Sequence, residues 1–352
     1  MNISVLGTGS FGTSLAMVLT DNNHDVQMYG RNHAVVQEIN ENHTNQHYLK
    51  DIDLPVALRA TDDLAAAVGH AELLVIAVPV KAVRRITEDI QKILLEKNKK
   101  VLIVHVAKGL ELDSYLRVSE VIEQETTPET VKDICVLSGP SHAEEVAMKS
   151  PTTVSTASLH NKGVSTIQDV FMSKYFRVYV NEDLVGVEIG GALKNIIALA
   201  VGTLHGLQFG DNAKAAIITR GLQEIARLGT KMGADPLTFL GLSGIGDLIV
   251  TATSHHSRNF RCGIMLAEGL SLTEAEDKMG MVVEGVNTTR AAFELSESYD
   301  VEMPITKVLH QYLFDDISED EAFYKLMMRE KTSETIGLKE LLNEQYKDWS
   351  NQ

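Results

Sequence analysis

Residues Gly186 to Leu207, GVEIGGALKNIIALAVGTLHGL, constrain the fold more than any other stretch of this chain. Their length and near-continuous apolar character predict one helix that is hydrophobic on almost every side and has to be buried. A run of this kind either crosses a membrane or forms the core of a soluble domain. Glu188, Lys194 and Asn195 interrupt it and argue for the soluble core. Asn195 follows Glu188 at helical spacing and shares its face, whereas Lys194 points about 120° away at roughly 100° per residue. An ammonium inside such a helix needs a partner or a wet cavity, and its pKa is open to being lowered. It either snorkels to the surface as a structural lysine or serves as an active-site acid or base.

The segments before this helix alternate short apolar runs with helical patterns. Strands are expected at Ile3–Leu6, Asp25–Tyr29, Leu73–Val78, Val101–Val106, Ile134–Leu137, Thr152–Thr156 and Arg177–Val180, with a helix over Ser10–Asp21. Continuous apolar runs suit parallel strands covered on both faces. The alternation predicts a doubly wound sheet. After Val180 only helical signals remain. Asn181 and Asp211 are candidate caps, Asp235-Pro236 starts a further helix, and Ser271/Glu274 and Ser318/Glu321 read as capping boxes. The fold class is therefore α/β: a doubly wound, Rossmann-type domain over residues 1–181, then an all-helical domain over 182–352. The tail from about Lys331 is polar and expected to fray.

Gly7-Thr-Gly9-Ser-Phe-Gly12 follows the first strand and opens the first helix. Gly7 allows a tight turn, Gly9 lets backbone approach a pyrophosphate, and Gly12 lets helix pack on sheet, with the helix N-terminus facing the phosphates. At the end of the second strand, where an NAD site usually carries Asp or Glu, the sequence reads Tyr29-Gly30-Arg31-Asn32. Arg31 is placed to meet a 2′-phosphate, so NADPH is the expected cofactor, with NADH also admitted. Two later strand ends place Lys108 beyond an apolar run and Gly139-Pro140-Ser141 before a helix start, with Ser141 and Glu144 spaced as a capping box.

In the helical half, Leu242-Ser-Gly-Ile-Gly-Asp247 ends a row of turn residues in an acid. Asp247 either holds a lysine ammonium or substrate hydroxyl, or caps a helix. His255-His256-Ser257-Arg258-Asn259-Phe260-Arg261 is cationic and expected to begin a helix, a combination suited to a phosphate monoester. Its plain alternative is a charged loop. His43 and His47 have the spacing of a metal pair but no third ligand, and His205 is expected to be a core or helix-end residue.

Bulk properties set the compartment and exclude partners. The chain has 352 residues and a formal charge of −16, which disfavours nucleic acid or an anionic membrane surface as a partner. Cys135 and Cys262 are far apart and lack metal-ligand spacing, and the N-terminus has no secretory pattern, so a cytoplasmic protein without an integral membrane segment is expected.

GTGSFGT, HVAKGLE, LSGPSHAEEV, VEIGGALKNIIALA, GDNAKAAIITRGLQEIARLG, GIGDLIVT, HSRN and MVVEG occur here in the order found in another group of enzymes. Over residues 1–330 the chain resembles the bacterial-type NAD(P)-dependent glycerol-3-phosphate dehydrogenases. The resemblance implies reduction of dihydroxyacetone phosphate to sn-glycerol 3-phosphate, a phospholipid precursor. It implies that Ser10, Phe11, Arg31, Ala143, Val282 and Glu284 contact the dinucleotide, with Arg258 reaching it too. Lys108 is implied to lie between cofactor and substrate, Gly139 and Ser141 to help bind substrate, and Lys194 to be the proton donor or acceptor. Asp247, Ser257, Arg258 and Asn259 are implied to surround the glycerol phosphate. A small phosphorylated molecule is then the partner, and a homodimer through the helical half is compatible with the sequence. The rival readings are a two-domain dehydrogenase acting on a β-hydroxy acid and a non-catalytic NADPH-binding protein.

Overall fold

The computed structural model describes residues 1–280 and 283–328. The chain divides into two compact units: Met1–Glu111 with Leu116–Leu184, and Leu112–Tyr115 with the chain from Val185 onward. The polar tail from Lys331 lies outside the described residues.

The first unit contains ten strands: Asn2–Leu6 (β1), Asp25–Tyr29 (β2), Thr44–Asn45 (β3), Leu49–Asp53 (β4), Arg59–Thr61 (β5), Leu73–Ile76 (β6), Val101–His105 (β7), Val131–Ser138 (β8), Thr152–Ser158 (β9) and Phe176–Val180 (β10). Eight form one sheet in the order β5-β2-β1-β6-β7-β8-β9-β10, and β3 and β4 form a separate hairpin. The strands from β5 to β8 are parallel, as the apolar runs predict. β9 pairs antiparallel with β8, and β10 runs parallel to β9, so the last two strands reverse the expected direction. The connection over residues 139–151, which carries the short helix Ala143–Ala147, brings the chain back alongside β8 in the opposite direction.

Alternate residues of one strand enter opposite cores. Ile3, Val5, Leu73, Val75, Leu102 and Val104 pack on one face of the sheet. Leu6, Leu74, Ile76, Val101 and Ile103 pack on the other. Burial on both faces is why these strands carry no polar alternation. The strand order reverses between β1 and β6, which puts the ligand crevice of such a sheet at their carboxyl ends.

The second unit is helical, and no strand follows β10 among the described residues. Its centre is the helix Leu184–Gly206, which is long and apolar enough to cross a membrane but has 89% of its apolar window buried in the protein. Small residues let neighbouring backbone reach it. A Cβ on Gly202 would lie 2.1 Å from the Phe260 carbonyl oxygen, and one on Gly190 would lie 2.4 Å from that of Ser243.

Several expected caps differ in detail. The central helix begins at Leu184; Asn181 precedes it and accepts from the Asp183 N–H, forming a turn into the helix rather than its cap. Gly210 caps the next helix, so Asp211 is its first residue, where a carboxylate still favours the helix dipole. Asp235 does cap, but the helix it starts is a tight five-residue turn, Pro236–Leu240. Ser271 with Glu274 closes the expected capping box, and Ser318 accepts from the Glu321 N–H.

Candidate active site

In the first unit four loops leave the carboxyl ends of β1, β6, β7 and β8. After β1, Gly7 adopts φ +127°, and a Cβ there would lie 2.5 Å from the Ala77 carbonyl oxygen at the end of β6. A side chain at Gly12 would sit 2.4 Å from the Gly7 carbonyl oxygen, so helix Ser10–Asp21 presses directly on this turn. A Cβ on Gly9 would meet nothing within 4 Å, and the helix it precedes has no side-chain cap. Open space above uncapped N–H groups is a cradle that fits a dinucleotide pyrophosphate. Ser10 donates to the Tyr48 carbonyl oxygen at 2.7 Å, which ties the start of the helix to the β3–β4 hairpin. Phe11 is partly buried against the core, with the Lys108 ammonium 6.0 Å from its ring centroid.

Arg31 is exposed just beyond β2, before the helix His33–Asn42. Asn32 caps that helix by accepting from the Ala34 N–H at 3.0 Å. Gly30 was not singled out from the sequence; a Cβ there would lie 2.5 Å from the Thr8 side chain, so β2 ends packed on the glycine loop.

After β7 and β8 three expected residues converge on one oxygen. Lys108 Nζ and Ser141 Oγ both donate to the Gly139 carbonyl oxygen, each at 2.9 Å. Gly139 has φ +141°, and a Cβ on it would lie 2.9 Å from the Val154 Cα, so only glycine fits. The expected Ser141–Glu144 capping box is displaced: His142 is the cap residue, and the Ser141 hydroxyl turns back to Gly139 instead. Ala143, the first residue of that short helix, is buried in the sheet core.

In the second unit Lys194 does not snorkel. Its side chain is 6% exposed, and that of Asp247 is 2% exposed. The ammonium donates to Asp247 Oδ1 at 2.6 Å and to Thr251 Oγ1 at 2.7 Å, while the Thr251 hydroxyl donates to the Asp247 carbonyl oxygen at 2.6 Å. The packing explains the meeting. Gly190 admits the Ser243 backbone, and Lys194, one helical turn on, meets Asp247, which begins the next helix beyond a kink at Gly244. Asp247 is the first residue of helix Asp247–Thr253, so its carboxylate also lies at a positive helix end. Thr251 was missed from the sequence, although an i, i+4 relation to Asp247 places it on the same face.

Ser257, Arg258 and Asn259 open the helix Arg258–Ala267. Ser257 is buried and accepts from the Phe260 N–H at 3.2 Å; Arg258 is exposed. The Asn259 side chain donates to Asn195 Oδ1 at 2.9 Å and accepts from the Gly285 N–H at 2.9 Å. Glu284 is the first residue of helix Glu284–Ser298, and Val282 lies outside the described residues. His205 stands exposed in the last turn of the central helix, its ring centroid 5.2 Å from that of Phe260. No cluster of metal-ligating side chains exists among the described residues.

Comparison with known proteins accounts for both units. The family model for the NAD-dependent glycerol-3-phosphate dehydrogenase N-terminus matches residues 2–164, and that for the C-terminus matches residues 183–324. A glycerol-3-phosphate dehydrogenase (NAD(P)+) of Macrococcus caseolyticus is 57% identical over 334 residues, 95% of this chain and 100% of the relative. The enzyme of that name from Bacillus subtilis is 51% identical over 345 residues, covering 98% of this chain and 99% of its own. The crystal structure of glycerol-3-phosphate dehydrogenase from Coxiella burnetii aligns with a TM-score of 0.87 at 36% identity, over 93% of this chain and 98% of that one.

Proposed function

The chain belongs to the NAD-dependent glycerol-3-phosphate dehydrogenases, and from that premise we propose how its residues divide the reduction of dihydroxyacetone phosphate to sn-glycerol 3-phosphate. NADPH or NADH, when bound, supplies hydride to C2 of the ketone. The Gly7–Gly12 turn, Ser10, Phe11, Ala143 and Glu284 hold the dinucleotide, with Arg31 on the 2′-phosphate of NADPH and Arg258 also in reach. This makes NADPH the preferred reductant.

Lys194 donates a proton to the C2 oxygen as it becomes an alkoxide, and in the reverse direction its neutral amine removes that proton. General acid assistance of this kind contributes about 10²- to 10⁴-fold. Asp247 and Thr251 fix the ammonium in place so that little reorganisation accompanies the transfer. Lys108, held by the Gly139 carbonyl oxygen, stabilises negative charge developing on the substrate carbonyl oxygen, and Gly139 and Ser141 help to bind the substrate. Ser257, Arg258 and Asn259 bind the phosphate at a helix start, where backbone N–H groups add to the arginine fork. A cytoplasmic location and a homodimer through the helical unit belong to the same proposal.

The observation that carries this reading is the buried Lys194 ammonium, 2.6 Å from Asp247 and 2.7 Å from Thr251. A protein that only bound NADPH would have no use for it. The test is oxidation of NADPH by the purified protein with dihydroxyacetone phosphate. Ketone-dependent oxidation is expected; activity with β-keto acids instead, or none at all, would overturn the assignment.

A further inference from the structure

We infer that Asn195 is a positioning residue that presets the side-chain amide of Asn259 for the substrate phosphate. The inference rests on the function proposed above. A backbone N–H can only donate, so the Gly285 amide decides which end of the Asn259 side chain faces it. It donates to Asn259 Oδ1 at 2.9 Å. With the oxygen held there, Asn259 Nδ2 is turned to Asn195 and donates to its Oδ1 at 2.9 Å. The Asn259 amide is thus oriented from both ends. Asn195 is 5% exposed and Asn259 is 7% exposed, so water competes weakly for either bond.

The three residues belong to three helices: Leu184–Gly206, Arg258–Ala267 and Glu284–Ser298. Gly285 is the joint. A Cβ there would lie 2.7 Å from Asn259 Oδ1 and 2.8 Å from the Asn195 carbonyl oxygen, so the close approach that makes the bond requires glycine. An asparagine amide has two N–H donors. One goes to Asn195, which fixes the plane and direction of the other at the capped start of helix Arg258–Ala267. That second N–H is the donor for a phosphate oxygen. Without the Asn195 acceptor the amide keeps only its bond to Gly285, and phosphate has to order it on binding. Lys194 is adjacent in sequence but about 100° round the helix, so the loss falls on phosphate recognition rather than proton transfer.

The experiment compares wild type with Asn195→Ala on dihydroxyacetone phosphate and on dihydroxyacetone, which lacks the phosphate. Affinity for sn-glycerol 3-phosphate is measured in parallel by calorimetry. One charge-assisted hydrogen bond left unordered should cost about tenfold in kcat/KM for the phosphorylated ketone, through KM, and about tenfold in glycerol 3-phosphate affinity. Activity on dihydroxyacetone should stay at the wild-type level. If Asn195→Ala is insoluble, Asn195→Ser, whose shorter side chain cannot reach Asn259, carries the same test. Equal losses on both ketones would mean general damage and overturn the inference, as would no loss on either. Wild type guards the reading beneath: if it does not favour the phosphorylated ketone, the phosphate assignment itself is wrong. If wild type and variant discriminate equally, only the role of Asn195 is lost.

Discussion

The two units hold their functional groups by different means. In the first, the site is mostly backbone: glycine turns at Gly7 and Gly139, the start of helix Ser10–Asp21, and a carbonyl oxygen gripped by Lys108 and Ser141. In the second, it is side chains carried by separate helices, with Lys194 and Asp247 53 residues apart and Asn195 and Asn259 64 apart. A backbone site tolerates side-chain change but not added volume. A side-chain site tolerates little loss of a partner, because Lys194, Asp247, Asn195 and Asn259 are buried and committed to one another in pairs.

The sharpest way to break this contrast is at Asp247. Asp247→Ala strands a buried ammonium, and breaking a buried pair costs about 3–5 kcal/mol. Thermal or denaturant unfolding should show that loss together with a fall in kcat; a change below about 1 kcal/mol would mean the pair is effectively solvated.

Glu224 tests the same unit away from the chemistry. Its carboxylate is buried and accepts from Ile305 N at 2.7 Å, Thr306 N at 3.1 Å and Thr306 Oγ1 at 3.0 Å, holding the start of helix Pro304–Phe314. Burial pushes its pKa up to about 7, against those donors, which pull it down. A carboxyl whose folded pKa is raised holds its proton in the native state between its ordinary value and about 7, so its contribution is present at low pH and lost as pH rises through that range. Glu224→Gln removes the titration at the cost of one acceptor, so the pH dependence of its stability gap from wild type is the readout. That gap should move in favour of the variant by up to roughly 3 kcal/mol between about pH 5 and about pH 8, in paired unfolding curves. A gap that moves the other way would show that the three donors outweigh burial.

In the backbone-built unit, Gly7→Ala forces a side chain into a conformation with φ +127° and against the Ala77 carbonyl. Strain of this kind costs about 1–3 kcal/mol. Dinucleotide affinity should collapse, while calorimetric binding of glycerol 3-phosphate to the variant is retained. Loss of both would show that the two sites are not built independently. The smallest effect is expected at Arg31, an exposed side chain. Arg31→Ala should weaken NADPH by about tenfold, the scale of one charge-assisted contact, and leave NADH nearly unchanged. Equal losses would refute the 2′-phosphate contact.

The same contrast explains what could be read from the sequence. The glycine loop was legible because its spacing states its own geometry: strand, turn and helix are contiguous. Helix Ser10–Asp21 and strand Asp25–Tyr29 have the bounds expected of them. The reversal at β9 was not legible, since an apolar run carries no direction. Nor was the role of Ser141, where a capping spacing was overridden by the turn at Gly139. In the helical unit the buried Lys194 was evident as an anomaly, but its partners were not. Thr251 carries no motif signal by itself and becomes meaningful only once Gly190 admits the Ser243 backbone. The bonds joining Asn195, Asn259 and Gly285 depend on three helices meeting, which no local pattern announces.

Proton transfer by Lys194 is the claim on which the rest depends, and steady-state kinetics of Lys194→Ala at saturating NADPH and dihydroxyacetone phosphate test it most directly. A kcat lower by about 10²- to 10⁴-fold is expected in a variant that still binds NADPH. A fall of less than about tenfold in that variant would show that the proton comes from elsewhere.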